Sequence, residues 1–568
     1  MKNLNLKPLF FVLLAVMVSC TGSQQSTQKT TEPTTDTEAL LSYQDEITPD
    51  YLRKHLSVIA DDSMMGRETG TEGIKMAAEY LANQYRKMGL EPVGDNGTYF
   101  QHFKLNATVT DSIVFQTFAL ENGEKTRISR SVASENSTAK YIRAFGGTDT
   151  LQAPIVFAGF GVNDPAHDVA HLKGVDLSGK WVMVFQKIPH VVNGDTLITP
   201  SVGARARIGA IFQSGAEGIL LISDMSREEF EKSAKEAAMS FGEYSNMRLA
   251  YLDDGSGSRG FSKGYNLVSP EMAAQLLGLE DAAALESFRK ELTQNISDFA
   301  PQKLGYALTQ IPYSKETSFQ SKNVLAFFEG ADPMLKDEVV ILTSHYDHVG
   351  ISAPDSTGDR IYNGADDDGS GTVGLLNVAH AFSVAKENGV MPKRSILFLH
   401  VSGEEKGLLG SRYYSDHPVF PIEKTVADLN TDMIGRIDKK HEKMGVEEYV
   451  YVIGGKIISS ELDSLLHVAN AKTGQVELSP RYNDLQDPNQ FYRRSDHWNF
   501  GRLGIPFVFF FTGVHEDYHR PSDEIQKIRF DKMADIVRTI YGTAVLVANT
   551  ENPPTVDNRE FIEITKAD

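Results

Sequence analysis

Cysteine is almost absent: Cys20 is the single thiol in 568 residues. No intramolecular disulfide can form, and any metal held by the chain must find nitrogen and oxygen donors elsewhere. Positive charge is also scarce, with 56 Lys and Arg against 76 Asp and Glu and a formal net charge of -20. No basic stripe is available to neutralise phosphates, which argues against nucleic acid as a partner. The acidic excess by itself reads as a solvated surface. The N-terminal apolar run, Leu9 to Val18, is too short to span a bilayer as a mature helix. What remains is ordinary globular composition, 41% hydrophobic and 23% charged, in a chain long enough for two or three domains with sizeable cores.

Lys2 and Lys7 precede that apolar run, and Ser19 and Cys20 follow it, an arrangement that suits the core of a signal peptide. The stretch Val-Met-Val-Ser-Cys resembles a bacterial lipoprotein signal. The resemblance implies that residues 1–20 direct export and that Cys20 carries a lipid; an ordinary secretory signal is the alternative. Either places the protein outside the cytoplasm: anchored in the bacterial cell envelope, on the outer membrane or the periplasmic side, or secreted. Residues 21–45 are rich in Ser, Thr, Gln and Pro and poor in apolar residues, so a disordered tether is expected.

From Thr48 the pattern changes. Thr48 caps and Pro49 starts a helix with Leu52, Leu56 and Ile59 on one face, and a second helix runs from Thr71 to Met88. The loop GRETGT between them carries Arg67, a candidate substrate contact or a solvated side chain. Residues 109–301 hold strand-like runs and the helix-like ARARIGAIFQSGA, with no ligand cluster; His167 and His171 share a helical spacing but lack a third partner. Residues 302–552 alternate apolar strands with helical segments, and residues 553–568 read as a tail. Near-continuous β-rich runs between helices predict an α/β fold, a mainly parallel central sheet with helices on both faces. The 109–301 block reads as a separate domain lying between residues 46–108 and 302–552.

The ends of those strands carry the chemistry. VVILTSH ends at His345, with Asp347 and His348 just beyond; NGADDDGSG supplies Asp366, Asp367 and Asp368; SILFLHV leads to Glu404 and Glu405; TVADLNT leads to Asp432; and IPFVFFF leads to His515, Tyr518 and His519. A carboxylate-rich set of nitrogen and oxygen donors suits a pair of zinc ions about 3.5 to 4 Å apart, which needs an anionic bridge and a nearby base not tied to metal. Each element also has a structural alternative: Asp366 to Asp368 can cap the following helix or hold calcium, and paired glutamates commonly start solvated helices.

HYDHVG, GADDDGSG, SGEEKGLLGS, LNTDMIG and DYHRPSDE, in that order, resemble the motifs of the di-zinc aminopeptidase family, whose relatives include glutamate carboxypeptidase and the transferrin receptor. The resemblance implies two Zn2+ per chain. His345, Asp367 and Asp432 would hold one, and Asp367, Glu405 and His519 the other. It makes Glu404 the general base, Asp347 the hydrogen-bond partner of His345, and Tyr518 a donor to the reacting oxyanion. It also implies a cis peptide between Asp367 and Asp368. His348, His497 and His515 are not needed as ligands, and Asp496 is a candidate supporting residue. FAGFGV, GVDLSGKWVMVF and ARARIGAIFQSGAEGILLIS resemble the protease-associated domain often inserted in such enzymes, with a role in covering the site.

The expected function is a zinc-dependent exopeptidase, most simply an aminopeptidase. It would cleave N-terminal residues from short peptides with water activated by the zinc pair. A dipeptidase or carboxypeptidase, for which Arg493 and Arg494 are candidate carboxylate contacts, and a mono-zinc glutaminyl cyclase are the enzymatic alternatives. A receptor-like binding protein on the same fold would be expected to have lost ligands or base, and here all are present.

Overall fold

The computed structural model describes residues 33–134, 140–253, 262–352, 354–355 and 357–566. The signal segment and Cys20 lie outside the described residues. Among the described residues no helix is long and apolar enough to cross a membrane.

One sheet runs through the molecule, and the 27-residue strand Gln302–Phe328 joins its two halves. Its last residues pair antiparallel with Ser395–Val401, its first with Leu151–Phe157, and most of its length with Phe100–Glu121. On one side the order continues from Ser395–Val401 to Val339–His345, Thr425–Thr431, Phe507–Phe511, Tyr449–Gly454 and Glu477–Ser479. The first four of these are mutually parallel, and Tyr449–Gly454 runs against Phe507–Phe511.

Successive side chains of a strand point to opposite faces, so a strand covered on both sides must be apolar throughout. Val340 and Leu342 accordingly enter one core with the helices Gly369–Glu387 and Phe530–Asn549, while Val339 and Ile341 enter another with Tyr414, Phe500 and Ile505. The first core also takes the apolar faces of Pro49–Ile59 and Glu72–Lys87. Thr48 caps the earlier of these helices, its side chain accepting from the Tyr51 N–H, as the sequence predicts.

The other half is a parallel array of Leu151–Phe157, Trp181–Phe185, Gly218–Ile222 and Gly264–Val268, edged by antiparallel Tyr141–Gly146. Its core takes Ile113 and Phe115 from one long strand and Leu308 from the other. The expected boundary at residue 109 therefore falls inside Phe100–Glu121, because that strand and Gln302–Phe328 serve both cores.

The described parts of the expected tether and of the expected tail both contain helix. Within the expected tether, Thr37–Leu41 form a helix capped by Asp36, with Leu40 and Leu41 buried and the Leu40 carbonyl accepting from the Tyr541 hydroxyl. Two leucines suffice there because the core surface they cover already exists. In the expected tail, Arg559–Thr565 form a helix that buries Phe561 near Phe507 and Trp498.

Arg67 is neither solvated nor aimed at substrate. It is fully buried, and its guanidinium donates to the carbonyls of Ile59, Tyr346, Asn363 and Gly364. It thereby ties the N-terminal helices to both ends of the loop, residues 346–368, that carries Asp367. Arg67→Met removes every one of these donors, and chemical denaturation should show a loss of about 3–5 kcal/mol; a loss below about 1 kcal/mol would contradict the clamp.

Candidate metal centre

The loop after Val339–His345 sorts its three aspartates into different tasks. Asp368 caps the helix Gly369–Glu387: its Oδ1 accepts from the N–H groups of Gly371 and Met433, and its Oδ2 from that of His345. Asp366 Oδ1 accepts from the Gly435 N–H and the Ser370 hydroxyl. From below, Asp523 Oδ2 accepts the N–H groups of Asp366 and Asp367. The Asp367–Asp368 peptide is cis, as the resemblance implies. Asp367 is left to face the cleft with both oxygens.

Two clusters form around those oxygens. On one side His345 Nε2 lies 3.4 Å from Asp367 Oδ1 and 3.6 Å from Asp432 Oδ1. On the other, His519 Nε2 lies 3.1 Å from Asp367 Oδ2 and 3.1 Å from Glu405 Oε2. Asp432 is oriented by the Ser495 hydroxyl, which donates to its Oδ2 at 2.8 Å. The strand ends thus converge as the motif order implies. His345, Asp367, Glu405, Asp432 and His519 all come together around one cleft.

The donor set fits divalent metal. His345 Nδ1 donates to the backbone carbonyl of Asp347 at 3.1 Å, so Nε2 is free to turn a lone pair toward two carboxylate oxygens. Tetrahedral zinc with bonds of about 2.0 Å sets its ligand atoms roughly 3.3 Å apart, close to the separations here. Asp367 Oδ2 and His519 Nε2 approach each other without the alignment of a hydrogen bond. Both clusters present the nitrogen and oxygen donors that divalent zinc takes.

The electrostatics point the same way. Burial alone would lower His345, yet Asp432 and Glu404 raise it well above its ordinary value. His519 is raised to about 10 against its burial by the adjacent carboxylates of Asp367 and Glu405. Glu404 is pushed well above the usual carboxylate range by burial, opposed by His345 and reinforced by Glu405, Asp496 and Asp432. Asp496 reaches about 7, chiefly through burial. Negative charge is in excess here, and cations relieve it.

Glu404 lines the same cleft as Asp367, Glu405, Asp432 and Tyr518. Its apolar wall is built from Met433, Phe491, Phe509, Phe511 and Val514, and Arg494 stands at its edge. Tyr518 stacks on the His519 ring with centroids 3.9 Å apart.

One expected contact differs. The Asp347 carboxylate stands 3.8 Å from His345 Nδ1, beyond hydrogen-bonding reach, and the backbone carbonyl of the same residue takes that role. Its Oδ1 accepts instead from the Glu404 N–H and its Oδ2 from the Thr69 hydroxyl, so it positions the segment of the base. His515 pairs with Asp366 behind the loop, and His497 stacks on Phe509. His171 accepts from the Phe160 N–H and reaches the Ile296 carbonyl, while His167 pairs with Asp164. The residue that sequence spacing passes over is His348. It is fully buried, with Nδ1 2.9 Å from Glu405 Oε1 and 3.7 Å from Asp367 Oδ2. Its place in HYDHVG was the only signal.

Adding zinc to chelator-treated protein should raise its unfolding temperature. Free zinc at a hundredfold over the dissociation constant stabilises by about 2.7 kcal/mol per site. An unchanged transition would contradict a metal centre.

Comparison with known proteins agrees with this geometry. Residues 323–544 match the model of peptidase family M28. Aminopeptidase YwaD of Bacillus subtilis is 28% identical over 256 residues, 42% of this chain and 50% of that protein. A probable leucine aminopeptidase of Arthroderma otae is 26% identical over 277 residues, 45% of this chain and 71% of that protein. The chain thus spans about half the length of the Bacillus relative. The solved aminopeptidase of Aneurinibacillus sp. strain AM-1 shares the fold, with a TM-score of 0.52 at 17% identity, covering 92% of this chain and 98% of that one. Residues 323–544, which carry every ligand candidate, are thus the part of the chain that is similar to peptidase family M28.

Proposed function

We propose that the chain is a zinc-dependent aminopeptidase that releases N-terminal residues from short peptides. One observation carries the reading: Asp367 offers one oxygen to His345 and Asp432 and the other to His519 and Glu405, with Glu404 lining the same cleft. The Bacillus relative, an aminopeptidase, and the Arthroderma relative, a probable leucine aminopeptidase, support it.

A zinc pair, when bound, supplies Lewis acidity: it makes water nucleophilic near neutral pH and polarises the scissile carbonyl. The chain's residues do the rest. Glu404 takes a proton from the attacking water and returns it to the leaving amine. Asp347 holds the Glu404 N–H and so fixes where that carboxylate stands. Burial, reinforced by Asp367 and Glu405, raises Tyr518, which stays a phenol able to donate to the carbonyl oxygen as charge develops there. Carboxylate oxygens of Glu404 and Asp432 receive the substrate's α-ammonium group. Met433, Phe491, Phe509, Phe511 and Val514 favour an apolar N-terminal side chain.

A second reading has its own observation. Arg494 lines this cleft, its guanidinium 4.8 Å above the Phe491 ring. A cation there suits a terminal carboxylate close to the scissile bond, as in a dipeptidase or carboxypeptidase. Peptides would be met in the cell envelope, with Cys20 as lipid anchor. The inserted unit would act as a protease-associated domain limiting substrate length.

Two outcomes are expected together. Glu404→Gln lowers kcat at least about 100-fold with zinc content unchanged, and N-acetylation of a leucyl peptide abolishes cleavage by the unaltered enzyme. Equal hydrolysis of free and acetylated peptides would sink the aminopeptidase reading and favour the Arg494 one.

A further inference from the structure

We infer that His348 is a fourth protein ligand of the metal position formed by Asp367, Glu405 and His519. The inference rests on reading this cluster as a paired metal centre. The two oxygens of Glu405 are flanked by different histidines: Oε2 by His519 Nε2 at 3.1 Å and Oε1 by His348 Nδ1 at 2.9 Å. Asp367 Oδ2 stands 3.1 Å from the first nitrogen and 3.7 Å from the second. Each of these separations, 2.9, 3.1, 3.1 and 3.7 Å, lies near the roughly 3.3 Å between neighbouring ligand atoms on tetrahedral zinc, with Glu405 reaching the two histidines through different oxygens. His348, Asp367 and Glu405 by themselves already present ligand atoms within 4.8 Å of one another.

The ring is held for that task. The His348 N–H donates to the Arg67 carbonyl, and Glu68 bridges to the same residue. The imidazole lies against Gly364, where any Cβ would collide with it. Its other nitrogen, Nε2, is buried without a hydrogen-bond partner, so Nδ1 carries whatever polar function the side chain has. That nitrogen faces carboxylates from two separate loops. A proton on Nδ1 serves one of them, whereas a cation serves both.

The consequence is an asymmetric pair. Four protein ligands, His348, Asp367, Glu405 and His519, would hold one position, and three, His345, Asp367 and Asp432, the other.

The test compares the unaltered protein with His348→Asn and His519→Asn, loading each with zinc and with cobalt. The readouts are metal per chain, affinity by chelator competition, and the visible absorption of tetrahedral cobalt. Asn keeps an N–H near the position of Nδ1 and so preserves a hydrogen bond to Glu405, but it is a poor metal ligand. The unaltered protein should bind two metals. Both variants should keep one of these tightly, which also reports an intact fold, and bind the other at least tenfold more weakly with reduced absorption. If His348→Asn matches the unaltered protein in affinity and spectrum while His519→Asn does not, His348 only orients Glu405 and the inference is overturned. If the unaltered protein takes up fewer than two metals, the paired-centre reading itself falls.

Discussion

The structure depends on holding buried carboxylates within a few ångströms of one another. Asp347, Asp367, Asp368, Glu404, Glu405 and Asp432 converge at the ends of parallel strands, where mutual repulsion and lost hydration both oppose folding. The chain answers with fixed donors wherever a carboxylate has a structural task. Asp368 takes three backbone N–H groups, Asp347 one N–H and one hydroxyl, and Asp366 one of each. The carboxylates left facing the cleft, Asp367, Glu405 and Asp432, meet histidines instead, and those are the atoms a cation would bind.

Arg67 belongs to the same balance. Its charge lies in a fully buried position near Asp347, Asp367, Asp368 and Asp523, yet its hydrogen bonds go to carbonyls rather than to those carboxylates. The guanidinium offsets negative charge at a distance while leaving the ligand oxygens free. A direct Arg–carboxylate pair would have competed with metal for Asp367.

Much of this was legible in the sequence, for identifiable reasons. Strands covered on both faces must be apolar runs, so VVILTSH, SILFLHV and FVFFF declare themselves, and ligands follow at their C-terminal ends. The five ligand candidates and Glu404 sit in motifs with fixed order. Other features need three dimensions. Phe100–Glu121 and Gln302–Phe328, 22 and 27 residues long, pass between two cores without a break, so no composition shift marks where one unit ends. Arg67 in GRETGT reads as solvated because nothing local shows the four carbonyls around it. Asp347 sits two residues from His345, which suggests a carboxylate–imidazole bond, yet the turn presents its carbonyl instead. His348 gains meaning only when Glu405, 57 residues away, folds back against it.

The proposed sharing of Asp367 between two metal ions is tested most directly by anomalous X-ray scattering at the zinc edge. A crystal of zinc-loaded protein should give two anomalous peaks about 3.5–4 Å apart, one beside His345 and Asp432 and the other beside Glu405 and His519. A single peak, or two peaks that do not both lie against Asp367, would contradict the account.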